Sequence, residues 1–187
     1  MHRHAIKIIF ALLVFISVPL AAATDLVQFT VVDRIRFSVP GDWPVIASKS
    51  TSEKTVFAFQ IPNAADNGTP DSSNLSIISV DLKSDQDRDA FQKKASSTDH
   101  DAKQKHLVEG WACSSFSAVQ GKTSYVIWDC YRVIANSGIS VRIAWPHLPK
   151  NPPDYDKQME AVLSTFLTNV GPFEGVPKSG VLRRPVE

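Results

Sequence analysis

Apolar and polar side chains alternate in short runs along most of the 187-residue chain, and turn-forming residues separate these runs. A two-residue period is typical of β-strands, whose successive side chains point to opposite faces of a sheet. Clusters of Pro, Gly, Asn, Asp and Ser at 40–42 and 136–138 indicate turns between strands. The pattern predicts strands over 29–32, 35–39, 55–61, 75–82, 111–120, 123–133 and 139–145.

The segment 154–169 has a helical period instead. Its apolar residues recur every three or four positions, which places them on one face of a helix. Asp154 is expected to cap the N-terminus, and Gly171 followed by Pro172 ends the helix. The apolar stripe consists of Tyr155, Met159, Val162, Leu163, Phe166 and Leu167.

A shorter helix is predicted over 85–96, where Asp85 or Asp87 is in position to cap the first turn. The polar stretch 97–106 either extends this helix or forms a loop. Residues 62–74 contain Pro, Gly, Asn, Asp and Ser with hardly an aliphatic side chain. This composition predicts a long exposed loop, a kind of segment that is often functional.

The strands on either side of Gly121 and Lys122 are predicted to form a β-hairpin. Glycine at the first central position favours a type II′ two-residue turn, and a turn of this length fixes the strand register. In this register Cys113 lies opposite Cys130, at a non-hydrogen-bonded pair where Cα atoms approach to about 4.5 Å. These are the only cysteines in the chain, so we predict a cross-strand disulfide. The alternative is a pair of buried free thiols.

Both faces of this hairpin carry apolar side chains. We therefore expect the hairpin near the centre of the sheet, covered at least partly on both sides. One face carries Trp111, Cys113, Val119, Val126, Trp128 and Cys130, and the other carries Phe116, Ala118, Tyr125, Ile127 and Tyr131. The tryptophans at 43, 111, 128 and 145 are expected to build the core rather than to line a ligand groove.

Residues 1–23 have the three parts of a secretory signal peptide. A basic start precedes an apolar run over 8–20 that is too short to span a membrane comfortably, and three alanines follow it. We therefore divide the chain into a signal peptide at 1–23, a single α+β domain at 24–171 and a Pro/Gly-rich tail at 172–187. No membrane span is expected after cleavage, and the pattern does not indicate an oligomeric state.

The predicted compartment is the bacterial periplasm, because the signal is short and ends in alanine and because disulfides persist in oxidising environments. Secretion is the alternative, and in a eukaryotic cell Asn67 and Asn74 would then be glycosylation acceptors. Cleavage removes Arg3 and Lys7 and so changes the formal net charge from +1 to about −1. A charge this small argues against general binding to nucleic acids or anionic membranes.

Two groups of charged residues are candidate binding sites. The histidines at 100 and 106, beside Asp99 and Asp101, are six positions apart, which is wrong for two ligands on one helical face. A solvated polar stretch is the better interpretation. Arg183 and its neighbour Arg184 would have to clamp an acidic partner from a Pro/Gly-rich tail, where solubilising side chains are more common. We expect no metal site and no cofactor.

A catalytic site would have to combine His147, Asp129 and one of the two serines Ser114 and Ser115. Neither serine has the Gly-x-Ser-x-Gly context of a nucleophile elbow, and a surface histidine is the better interpretation of His147. Asp129 faces Ser114 in the hairpin and is either a buried acid or a strand carboxylate that hydrogen-bonds its neighbours. We favour the second interpretation and expect no catalytic residues.

Residues 37–43, with the sequence FSVPGDW, resemble the segment that opens domains of the Mog1/PsbP-like superfamily, which includes DcrB-type bacterial exported proteins. The order of predicted elements over 29–169 is similar as well. The resemblance implies an α+β fold in which helices pack on the faces of a central antiparallel sheet. It also implies a binding, chaperone or adaptor role, since members act mostly in that way. It carries no functional residues to this chain.

The sequence thus predicts a non-enzymatic periplasmic binding or accessory protein that acts through protein–protein contacts. The expected partner is another protein of the cell envelope. One alternative is an immunity-type inhibitor of a toxic periplasmic enzyme. A small hydrolase with an unrecognised site is the other, and it depends on His147 being close to Asp129 and a serine.

Overall fold

The computed structural model describes residues 25–31, 34–62, 70–96, 103–104 and 106–175, without the side chains of residues 70, 71 and 104. The predicted signal peptide lies outside these residues. The described part contains ten strands and two helices: β1 (Leu26–Val31), β2 (Ile35–Pro40), β3 (Val45–Ser50), β4 (Lys54–Pro62), β5 (Pro70–Asp81), α1 (Asp85–Ser96), β6 (Lys103–Gln104), β7 (Ala112–Gln120), β8 (Thr123–Ile134), β9 (Ser137–Pro146), α2 (Tyr155–Asn169) and β10 (Gly171–Pro172). Neither of these helices is long and apolar enough to cross a bilayer.

The strands form two antiparallel sheets, which confirms the α+β class. The larger sheet has seven strands in the order β3-β4-β5-β9-β8-β7-β6, and the smaller has the order β1-β2-β10. Pro172 pairs with Ile35 in β2, and the N–H of Phe173 donates to the carbonyl of Arg34 at 2.7 Å. The predicted boundary between domain and tail, at 171, therefore falls inside a short strand. Residues 176–187 lie outside the described part.

The predicted hairpin and its disulfide are confirmed. Gln120 pairs with Thr123, and Cys113 pairs with Cys130. Gly121 has a φ of +62°, whereas Lys122 has no positive φ, as a type II′ turn requires. The two cysteines are bonded with their Cα atoms 4.1 Å apart, and the described residues include no free cysteine. This finding excludes the alternative of two free thiols.

The predicted central position of the hairpin is confirmed for β8 and wrong for β7. The middle strand of the seven is β9, which is flanked by β5 and β8, whereas β7 lies next to the end of the sheet. Beyond β7, among the residues that the structure describes, only Lys103 and Gln104 pair, with Ser115 and Ser114. Long-range pairing decides the strand order, and the apolar pattern of one hairpin does not contain that information.

Three local features of the secondary structure also differ from the prediction. The turn between β8 and β9 is Ala135–Asn136 instead of 136–138, and Ala135 adopts a φ of +53°. Strand β5 begins at Pro70, so part of the predicted loop over 62–74 is a strand. Residues 63–69 lie outside the described part. Strand β3 was not predicted, because all six of its residues are exposed and no apolar alternation marks it.

The N-termini of the two helices are capped differently from the prediction. At α1 the cap is Ser84, whose Oγ accepts from the N–H of Asp87 at 3.1 Å, while the Asp87 carboxylate accepts from the N–H of Ser84 at 3.0 Å. This reciprocal pair is a capping box. At α2 Asp154 is the N-cap residue but makes no capping bond. Its carboxylate accepts from Gln158 Nε2 at 3.0 Å instead.

The hydrophobic core joins the two sheets and α2. Phe37 in β2 is fully buried, and its ring lies 5.4 Å from Phe29, 5.8 Å from Phe57 and 5.7 Å from Phe166, measured between centroids. These neighbours come from β1, β4 and α2. Trp145 is also fully buried and donates its indole N–H to Asp156 at 2.7 Å. Trp111 and Trp128 are buried in the same core, as predicted, and Trp43 packs against it.

Candidate binding face

The large sheet has one buried face and one face that is only half covered. Because side chains alternate along each strand, the register assigns every position to one of the two. The buried face carries Leu75, Ile77, Trp128, Val141, Ile143 and Trp145, all at most 2% exposed. The other face, called here the open face, carries Phe116, Tyr125, Ile127, Asp129, Tyr131 and Arg142. Its four apolar or aromatic members are half-buried, and Arg142 is exposed.

Three rows of paired residues run across the open face. The central row reads Ala58, Ser76, Arg142, Asp129 and Ser114 from β4 to β7. The row towards α1 reads Val56, Ile78, Ser140, Tyr131 and Ala112, and the third reads Gln60, Asn74, Ala144, Ile127 and Phe116. A charged pair in the middle is thus flanked by aromatic and aliphatic side chains on both sides.

Asp129 and Arg142 form a two-point ion pair at the centre of this face. Arg142 Nε donates to Asp129 Oδ1 at 2.6 Å, and Nη2 donates to Oδ2 at 2.7 Å. The Asp129 side chain is 11% exposed and that of Arg142 is 52% exposed. The hydrogen bonds to Asp129 raise the pKa of Arg142 above its usual value. The negative charge of the buried carboxylate is therefore balanced by the guanidinium. The guanidinium keeps further N–H donors that are directed away from the carboxylate.

This pair decides between the two interpretations of Asp129. The carboxylate hydrogen-bonds a strand neighbour, as we favoured, and that neighbour is Arg142 of β9. Sequence reasoning missed Arg142. An extension of the register through the β8–β9 turn would have found it, provided that the turn was placed at Ala135 and Asn136.

Tyr131 lies beside the ion pair and links it to α1. Burial raises the pKa of Tyr131, and the Asp129 carboxylate raises it further, while Arg142 and a hydrogen bond to Ser140 oppose the rise. The ring of Phe91 stands nearly perpendicular to that of Tyr131, with centroids 5.9 Å apart. Helix α1 thus contacts one end of the open face through an aromatic pair.

The packing of Phe91 also depends on the absence of a side chain at Gly138. A Cβ built on Gly138 would lie 2.8 Å from two ring atoms of Phe91, which no real packing tolerates. No residue of α1 is buried, so Phe91 is its main apolar contact. A hydrogen bond from Arg88 to Asn136 at 3.3 Å adds to the attachment.

We expect Gly138→Ala to displace the N-terminal half of α1 and to lower the free energy of unfolding by about 1–2 kcal/mol, the usual cost of overpacking. Gly171→Ala is the matched control, because its added Cβ meets nothing within 4 Å, and it should change stability by less than about 0.5 kcal/mol. Urea unfolding measures both. In the variant that also carries Phe91→Ala, the cost of Gly138→Ala should largely disappear. An equal cost with and without Phe91 would contradict this description of the contact.

The structure does not bring the candidate catalytic residues together. His147 is exposed and follows the end of β9, five residues beyond Arg142, which corresponds to roughly 16 Å along the strand. Asp129 lies opposite Arg142, so it is equally far away. Ser115 pairs with Trp128 and points to the buried face, whereas Ser114 is next to Asp129 on the open face. A site made of His147, Asp129 and a serine therefore has no geometric support.

The remaining candidates give no site in the described part of the chain. His106 is exposed, whereas residues 99–101 and 183–184 lie outside the described residues. Among the described side chains, no group of three or more His, Cys, Asp or Glu is close enough to hold a metal ion. A groove of about 410 Å³ lies between α1 and β5, but Glu53 and Lys83 beside it pair with each other at 2.8 Å.

Comparisons with known proteins support the fold and nothing finer. No family model matches the chain, and no curated protein does so either. A solved structure from Bacteroides thetaiotaomicron VPI-5482 is 15% identical, covers 78% of this chain and has a TM-score of 0.52. The matched region is 47% of that protein, so this chain spans about half of its length.

A second solved structure is the Saccharomyces cerevisiae Ran-binding protein Mog1p. It is 9% identical, with a TM-score of 0.49, and the match covers 81% of this chain and 97% of Mog1p. A Mog1 protein is thus among the solved structures that this chain is similar to. At this level of identity the likeness concerns the layout of the chain, and no function is carried over from it.

Proposed function

We propose that the protein is a non-enzymatic binding or accessory protein of the bacterial periplasm, and that it contacts another protein of the cell envelope through its open face. The observation that carries the proposal is the composition of that face: half-buried Phe116, Tyr125, Ile127 and Tyr131 share it with the half-exposed side chain of Arg142. Tyrosine and arginine are enriched among the residues that dominate protein–protein binding energies.

The charges of this face favour a protein partner over a reaction. Asp129 is held by Arg142 in a two-point ion pair, so both oxygens of the carboxylate already accept hydrogen bonds from a neighbouring side chain. Arg142 retains donors for a partner's carboxylate or carbonyl groups, in a setting where flanking apolar side chains exclude water. In this proposal helix α1 packs on one end of the sheet face and leaves the rest for the partner.

The periplasmic location rests on residues 1–23 and on the disulfide. Cys113 and Cys130 are 6% and 0% exposed. A buried disulfide that joins neighbouring strands is typical of proteins that fold in an oxidising compartment. Export is therefore part of the proposal and is tested by where the mature chain accumulates.

The test compares two substitutions on the same hairpin. Ile127→Asp places a charge on the open face. Val119→Asp places the same charge on the opposite side of the hairpin near its tip, where the side chain is already 74% exposed. The mature protein and both variants are used to capture proteins from the periplasm of the native host. We expect a one-to-one partner that binds the unchanged protein and Val119→Asp equally and binds Ile127→Asp at least tenfold more weakly, a loss of about 1.4 kcal/mol or more.

Circular dichroism of the two variants controls for misfolding. Capture of the same protein by all three forms would show that the interface does not lie on the open face. A periplasm that yields no specific partner for the unchanged protein would contradict the proposed function itself.

A further inference from the structure

The seven-stranded sheet ends on one side in β3, which has no neighbour beyond it among the described strands. All six of its residues are exposed, including Val45 at 46% and Ile46 at 53%. An edge strand presents unpaired backbone N–H and C=O groups, and sheets that add a partner's strand use such edges. The edge of β3 also borders the open face, since Ala47 pairs with Ala58 of the central row.

The register shows which backbone groups of β3 point outward. The N–H of Thr51 donates to the carbonyl of Lys54 at 2.8 Å and closes the β3–β4 turn as a hydrogen-bonded pair. Pair types alternate in an antiparallel ladder, so Ser50 and Ser48 occupy non-hydrogen-bonded pairs with β4. Their side chains should then approach closely, and Ser50 Oγ does lie 2.9 Å from Thr55 Oγ1. The N–H and C=O groups of Ser48 and Ser50 are therefore directed to the outer edge.

Two lysines give this edge its charge. Lys49 pairs with Val56, and Lys54 lies two residues before Val56 in β4, so both side chains project on the open face. Both are exposed. In the described part of the chain neither forms an ion pair, unlike the nearby Lys83, which is bound to Glu53. The edge thus combines outward-facing backbone groups with two uncompensated positive charges.

We propose that β3 accepts an extended acidic segment of the partner protein as an additional strand, with carboxylates beside Lys49 and Lys54. This inference rests on the proposed function, because it names the chemistry of the segment that the partner contributes. Each outward-facing serine supplies one donor and one acceptor to the added strand. The carboxylates fall on alternate positions of the segment, because only every second side chain lies on the face of the lysines.

Charge argues against a second copy of the chain at this edge. An antiparallel β3–β3 pair has to bring together residues whose backbone groups point outward. Alignment of Ser48 with Ser50 sets Lys49 directly opposite the second Lys49, and alignment of Ser48 with Ser48 sets these lysines diagonally, at about 7–8 Å. Like charges at these separations are destabilising, whereas an acidic strand is attracted.

The probe is a synthetic eight-residue peptide in which Glu alternates with Thr, and its control has Lys in place of each Glu. We expect the Glu peptide to bind the mature protein measurably, with an affinity that falls as salt is raised, and the Lys peptide not to bind. The double variant Lys49→Glu with Lys54→Glu should reverse this preference. A preference that stays unchanged in the double variant, or equal binding of both peptides, would overturn the proposal.

Ser48→Pro tests the backbone contact, with Ser48→Ala as its matched control. Proline removes an N–H that already faces solvent, a substitution that edge strands tolerate, so the fold should persist. We expect the proline variant to lose about tenfold in affinity for the Glu peptide, the loss of about one backbone hydrogen bond, and the alanine variant to lose less than twofold. If the proline variant does not fold, the double lysine variant alone decides whether β3 binds the acidic segment.

The outcomes separate this proposal from the proposed function. A partner that is lost with Ile127→Asp but retained by Ser48→Pro keeps the open face as the interface and overturns strand addition at β3. Self-association that disappears in Ser48→Pro would assign the edge to a second copy and would also overturn the proposal. Absence of any partner from the periplasm contradicts the proposed function, whereas the peptide measurement still reports on β3.

Discussion

Replacement of Phe37 by alanine is expected to lower the free energy of unfolding by about 3–5 kcal/mol, which is the usual cost of removing a buried phenylalanine. Phe37 is fully buried and contacts rings from β1, β4 and α2. Loss of this ring leaves a cavity where the small sheet, the large sheet and α2 meet. Because three elements border the cavity, it cannot be filled by the movement of one side chain.

Phe116→Ala is the matched control, since it makes the same truncation at a half-buried position of the open face. We expect it to cost about 1 kcal/mol, in proportion to the smaller apolar area that it removes from contact with the protein. Urea unfolding followed by tryptophan fluorescence measures both variants. Equal costs at the two positions would show that Phe37 does not join the sheets in the way described.

Replacement of both cysteines by serine is expected to cost about 3 kcal/mol, the second large effect. Cys113 and Cys130 are separated by 17 positions, and closure of a loop of this size removes about that much entropy from the unfolded chain. The cost arises mainly in the unfolded state, so the register of β7 and β8 should survive. Their pairing through Gly121 does not require the bond.

Reduction of the unchanged protein with a thiol reductant gives an independent measurement of the same quantity. The reduced protein and the double serine variant should unfold at similar urea concentrations, both below that of the oxidised protein. A loss of less than about 1 kcal/mol in both would mean that the hairpin already constrains the unfolded chain. The disulfide would then not be a main source of stability.

The hairpin could be predicted from the sequence because its register depends on neighbouring residues only. Gly121 adopts the positive φ that a type II′ turn requires, and every pair up to Cys113–Cys130 follows from that turn. Both helices could be predicted for the same reason, because the signal for each lies within its own segment. This signal is an apolar period for α2 and a polar N-terminal cap for α1. Helix α1 spans Asp85–Ser96, as predicted.

The next turn misled the prediction for a physical reason. Gly138 resembles a turn residue, but inside β9 it pairs with Val133, and there the ring of Phe91 occupies the space of a Cβ. Ala135 instead takes the positive φ, which few non-glycine residues do. A turn over 136–138 would set Arg142 opposite Arg132, and the ion pair with Asp129 would not form. The centre of the candidate site was missed through this one shift of register.

The strand order and the edge strand β3 were not predictable from local pattern. Strand β3 is exposed at every position, so it has no apolar alternation and owes its conformation to pairing with β4. The division into two sheets depends on contacts between residues far apart, such as Phe37 and Phe166. Such contacts follow from the packing of the whole chain.

The central claim is that the partner covers the open face of the large sheet. Hydroxyl-radical footprinting of the mature protein, alone and in complex with its captured partner, tests this most directly, because aromatic side chains are labelled in proportion to their exposure. We expect labelling of Phe116, Tyr125 and Tyr131 to fall in the complex, with no change at Leu26, which is 62% exposed in the small sheet. Unchanged labelling of all three aromatic residues, together with protection of Leu26, would contradict the account.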